Sequence, residues 1–205
     1  MANEYGTLAS LKARLGIDDT TDDAILAAVL EAVSRWVDME CGRQFYKSAA
    51  GVRYYTAEFP DLLFVDDLTA VTTLKTDEDG DRVYERTWAA TDYDLLPFNA
   101  QQQSQPQPFT RIEVTPNGLY SFPIGLAKAV QLTADLGYVT GASTAAPGPI
   151  LEATLLQSER IFKRKDAIFG VVGSAELGQL MVIPRIDPDV KLMLRPFVKM
   201  LVGGV

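Results

Sequence analysis

The 205-residue chain contains no histidine and a single cysteine. Without imidazole there can be no Ser-His-Asp or Cys-His relay, no imidazole-bound zinc and no histidine pH switch. With one thiol there can be no internal disulfide and no thiolate zinc site, so Cys41 reads as a small buried helix residue rather than a nucleophile. No apolar run approaches the length of a membrane span, and the first residues lack the charged-then-apolar pattern of a secretory signal. What remains is the composition of an ordinary soluble globular protein, 47% apolar and 22% charged. The length suits one domain, or one domain with an extension.

Charge is unevenly spread. Residues 1–100 hold 19 acids and 9 bases, whereas residues 101–205 hold 8 acids and 10 bases. An acidic first half repels a phosphate backbone instead of gripping it. The basic run Arg160, Lys163, Arg164 and Lys165 has no aromatic stacking platform around it, so it reads as the cationic end of a helix rather than a nucleic-acid patch.

Helical spacing of Leu8, Leu11 and Leu15 predicts a helix over 7–15 that Gly16 stops. The acids and hydroxyls at 18–23 predict a solvated N-cap. They open a helix over 22–42 with a broad stripe of Ile25, Val29, Ala32, Val33, Trp36 and Val37. The period then falls to two. Strands are predicted at 52–57, 62–65, 68–75, 82–88, 93–96, 111–115 and 126–139. Asp79-Gly80 marks a hairpin turn between the third and fourth. "TDEDGD" is similar to a calcium loop, but with Gly80 in the sixth place Lys75 would stand first and Arg86 twelfth. It reads as a turn whose acids do not converge. "NAQQQSQPQP" at 99–108 reads as an exposed loop. Pro149 opens a helix over 150–166. Near the C-terminus, Asp187 caps and Pro188 opens a further helix, which Pro196 kinks or ends near Leu194.

The order of these elements resembles the head–tail connector, or adaptor, proteins of long-tailed bacteriophages and related particles. Four stretches carry the resemblance: "YGTLASLKARLGIDDTTDDAILAAVLEAVSRWVDMECGRQFY" at 5–46, "DDLTAVTTLKTDEDGD" at 66–81, "DYDLLP" at 92–97 and "VQLTADLGYVTGASTAAPGPILEATLLQSERIFKRKD" at 130–166. The resemblance implies a non-enzymatic virion protein without cofactor or metal. Family members form a ring, typically of twelve copies, in the neck between the capsid portal and the tail. The ring extends the DNA channel, lets DNA pass without specific binding, and offers a landing surface to a tail-side neck or terminator protein.

The expected fold class is α+β: an N-terminal helix pair and a later helix packed together, an antiparallel β-region at 52–139 inserted between them, and an extended C-terminal arm. The core is expected to span 1–166 and the arm 167–205. The arm is expected to dock on the portal or a neighbour through Ile183, Ile186, Val190, Leu192, Met193, Leu194, Phe197 and Val198, with Arg185, Lys191, Arg195 and Lys199 at the rim. A C-terminal helix folded back on its own domain is the alternative. Trp36, Arg160, Lys163 and Arg164 are candidate ring contacts. Two other functions stay open: a tail-completion or tail-terminator protein, usually hexameric and β-dominated, and a metal-dependent hydrolase using Asp66-Asp67 or Asp77, Asp79 and Asp81.

Overall fold

A computed structural model describes residues 3–116, 118–139, 145–166, 171–172, 181–182 and 186–199. The chain divides into two compact units, Met1–Arg43 with Ser143–Val205, and Gln44–Ala142. The fold is α+β as expected, with the β-region inserted between helices. The segment from 143 onward groups with the N-terminal helices, so residue 166 falls inside this helical unit.

The helical unit contains α1 (Leu8–Leu15), α2 (Asp23–Cys41), α3 (Gly148–Lys163) and α4 (Pro188–Leu194). It also holds a short antiparallel pair, β7 (Val171–Val172) with β8 (Met181–Val182). Thr7 caps α1 through its hydroxyl, which accepts from Ser10 N, and Gly16 closes it at φ +70°. Leu11, Leu26, Leu30 and Phe162 are buried together, with Leu8, Leu15, Ile17 and Leu155 packed around them. This is how α1, α2 and α3 share one core. Inside it, Ser34 Oγ accepts from Tyr5 N at 2.9 Å and donates to Leu30 O at 2.7 Å, so the buried hydroxyl is satisfied on both sides. The acids before α2 act differently from the expected cap. Asp22 makes no side-chain cap bond. Asp22 meets Lys165 at 2.8 Å and Asp23 meets Lys12 at 2.7 Å, so the two carboxylates tie α2 to its neighbours.

The second unit is an antiparallel sheet in the order β1 (Ser48–Tyr55), β6 (Val130–Leu136), β2 (Leu62–Thr76), β5 (Phe109–Val114), β4 (Tyr93–Leu96), with β3 (Arg86–Thr87) on β2. The two strands expected at 62–65 and 68–75 are one strand, β2, whose register shifts between Phe64 and Leu68. Pairing with β5 on its first half and β6 on its second carries the chain through Asp66-Asp67. The strand expected over 82–88 shrinks to β3, because residues 77–85 wrap around the Asp77 carboxylate instead of pairing. The strand expected from 126 begins at Val130, after Lys128 at φ +59°. Leu63, Leu68, Leu74, Trp88, Ile112, Phe122, Leu132 and Leu136 form the core, where Trp88 stacks on Phe122 at 4.8 Å. Among the described residues, no helix is long and apolar enough to cross a membrane.

Candidate functional site: surfaces for assembly

The C-terminal helix starts where the sequence places it. Asp187 is the N-cap, its side chain accepting from Asp189 N at 2.9 Å. Its other carboxylate oxygen takes Arg160 Nη1 at 2.5 Å, and its backbone N–H donates to Gln157 Oε1 at 3.3 Å. Arg160, a candidate ring contact, thus anchors α4 to α3. At the far end Lys199 N donates to Cys41 O at 2.8 Å, satisfying a carbonyl at the C-terminus of α2. Pro196 sits in a 3-10 turn over Arg195–Phe197, so the α-helix ends at Leu194, within the range its missing N–H dictates.

Asp187→Ala is expected to cost about 1–2 kcal/mol of the helical unit's stability, because both the cap and the Arg160 partner go. Asp187→Asn keeps the cap and should lose less. Urea denaturation of the three proteins checks the order.

The expected docking residues separate by face. Val190, Leu194 and Phe197 are buried within the chain, and Ile186 and Met193 are half-buried. Lys191, Leu192, Arg195 and Val198 are exposed, Leu192 at 68%. Ile183 and Arg185 lie outside the described residues. Over residues 186–199 one face is thus turned inward and one outward. Of the other ring candidates, Lys163 is exposed and meets Glu159 at 2.6 Å, while Trp36 and Arg164 are half-buried. Glu159 is held below the usual carboxylate range by Lys163, against burial, with Arg14 adding to the effect.

Part of the broad stripe read on α2 stays open at the surface: Ile25 and Ala32 are exposed, and Val29 is half-buried. Ala24, Ile25, Ala28, Val29 and Ala32, with Ile161 of α3, line an apolar groove of about 430 Å³. Its sequence signal is alanine at 24, 28 and 32, one helical face of small side chains. Trp36 continues that face by one more turn.

The acidic turn of the sheet unit differs from the expectation. The sequence reading has its acids diverging, yet the carboxylates of Asp77, Asp79, Asp81 and Glu85 lie within 4.8 Å of one another. Asp77 Oδ1 accepts from Asp79 N at 3.2 Å and Gly80 N at 2.7 Å, and Oδ2 from Arg82 N at 2.8 Å. Burial pushes the Asp77 carboxyl up, but these three donors together outweigh it and hold it below the ordinary range. Taking Asp77 rather than Lys75 as the first position reveals the alternate-residue spacing. These are the residues that could hold a cation, and the bonds to Asp77 also explain the cluster as a turn. Cys41 is buried and its thiol is pushed up to about 12 by that burial, so it is unreactive.

Residues 5–73 match the family model described as phage gp6-like head-tail connector protein. No curated protein matches the sequence. Among solved structures, the chain is similar to one in "Neck of empty GTA particle computed with C6 symmetry", with TM-score 0.59, 19% identity, and coverage of 100% of this chain and 98% of that one. A chain in "Neck of native GTA particle computed with C12 symmetry" gives TM-score 0.58 and 20% identity at the same coverage. A third, in "Virion of native gene transfer agent (GTA) particle", gives 0.57 and 19%, again at that coverage. The resemblance read from the sequence is borne out: residues 5–73 carry the pattern of the gp6-like head–tail connectors, and the whole chain carries the fold of a chain found in particle-neck structures.

Proposed function

We propose that this protein is a structural subunit of the neck of a phage or phage-like particle, forming a homo-oligomeric ring at the junction of head and tail. The observation that carries the reading is the full-length likeness to chains in neck structures, joined to the connector pattern over residues 5–73. Under this proposal twelve copies sit beneath the portal, extend the DNA channel and present a surface to a tail-side protein. A net charge of −8 suits a wall that passes DNA without holding it. The role asks for no reaction and no cofactor. Binding energy comes instead from exposed apolar side chains such as Leu192 and Val198, ringed by Lys191 and Arg195.

Electron microscopy of assembled particles tests this. The expected result is a ring of this chain between portal and tail, with twelvefold symmetry. Absence of the chain from the neck overturns the proposal. A sixfold ring on the tail side would assign it to tail completion instead.

A further inference from the structure

We infer that the apolar groove on α2 receives the exposed ridge of α4 from the next copy in the ring; this rests on the neck-ring reading and names its subunit interface. The groove is lined by Ala24, Ile25, Ala28, Val29, Ala32 and Ile161, and Ile25 is 49% exposed. Small side chains on one helical face let another helix approach closely, and an apolar surface left open to water is stabilised by being covered. On the same chain, Leu192 and Val198 stand outward from α4 and the turn after it, flanked by Lys191 and Arg195. One patch is a shallow, open depression and the other stands outward, and both are apolar at the centre.

The charges complete the match. Glu31 is exposed three residues from Ala28, on the edge of the groove's side of α2. Lys165, at the groove's Ile161 end, is paired with Asp22 at 2.8 Å. Arg35 further along α2 is paired with Asp38 at 3.2 Å, so Glu31 is the acid the groove's edge offers to a ridge that carries Lys191 and Arg195. Two different, complementary patches on one chain make a head-to-tail contact, which generates rings when the rotation closes. The likeness to chains in a neck of C12 symmetry fits a closing contact of this kind.

The interface is tested in assembled particles with the full-length chain carrying a photo-crosslinking residue in place of Leu192. The expected product has twice the mass of the chain, with the crosslink mapped to the α2 peptide of a second copy. An adduct to a different neck chain, an adduct within one copy, or a ring without any adduct overturns the inference while leaving the neck reading standing. Absence of the chain from particles overturns the neck reading, and the inference with it. A second variant, Ala28→Glu, places a carboxylate in the groove at an exposed position. It is expected to leave thermal unfolding of the free chain unchanged and to lower ring copies per particle about tenfold or more. Wild-type ring occupancy in that variant overturns the assignment of the groove.

Discussion

A chain ending at Asp166 is expected to lose roughly 5 kcal/mol or more of stability in its helical unit, because three fully packed side chains go with the C-terminal segment. Val190, Leu194 and Phe197 are each no more than 3% exposed. Full burial of such side chains contributes about 1.5–3 kcal/mol apiece, and the whole stability of a domain is about 5–15 kcal/mol. The cut also strips Gln157 of its Asp187 donor, Arg160 of its carboxylate and the Cys41 carbonyl of Lys199 N. For a chain of this size the melting temperature should fall by roughly 10–20 °C. The two tryptophans make the measurement local, since Trp36 lies on α2 and Trp88 in the sheet core. A Trp88→Phe background therefore reports the helical unit by fluorescence. If the truncated chain stays within about 1 kcal/mol of full length, α4 adds little to that unit, and the division into a core ending at 166 and a separate arm stands.

That contrast shows what could be read from the sequence and what could not. Local signals worked where one residue decides the backbone. Asp187 as a cap, Gly16 as a left-handed end, and Pro188 as a helix opener all stand where their chemistry puts them. The long strand β2 was harder to see, because Asp66-Asp67 looks like a break until β5 and β6 are known to pair on either side. The carboxylates of residues 77–85 converge only once the loop wraps around Asp77. The tail was the hardest. Alternation of Val190, Leu194 and Phe197 with Lys191, Leu192 and Arg195 is plain in the sequence, but a two-faced helix does not say which face finds its own domain. That depends on α3 offering Gln157 and Arg160 to Asp187, contacts separated by 27 to 30 residues. The groove on α2 is the converse case. Ala24, Ala28 and Ala32 are visible as a pattern, but only the packed helices show that nothing large from the described chain fills it.

Gly137→Ala is expected to be the most damaging single substitution in the sheet unit, at about 3 kcal/mol or more, because it combines backbone strain with a clash that cannot relax. Gly137 has φ +120°, outside the range that side-chain-bearing residues readily adopt. A β-carbon there would stand 2.0 Å from the carbonyl oxygen of Tyr46. The obstacle is main chain, so no rotamer change relieves it. Both neighbouring segments are tied in place: Gly137 N donates to Asp67 O at 2.8 Å, and Tyr138 N to Gln44 O at 3.0 Å. Moving either aside sacrifices buried backbone hydrogen bonds at the end of β6. Gly16→Ala separates the two costs, since Gly16 also has positive φ but no atom within 4 Å of the added carbon. It should lose only about 1 kcal/mol, the conformational part alone. Urea unfolding followed by Trp88 for the first variant and Trp36 for the second gives the comparison. Equal losses at the two positions would mean that the close approach of Gly137 to Tyr46 carries no energetic weight.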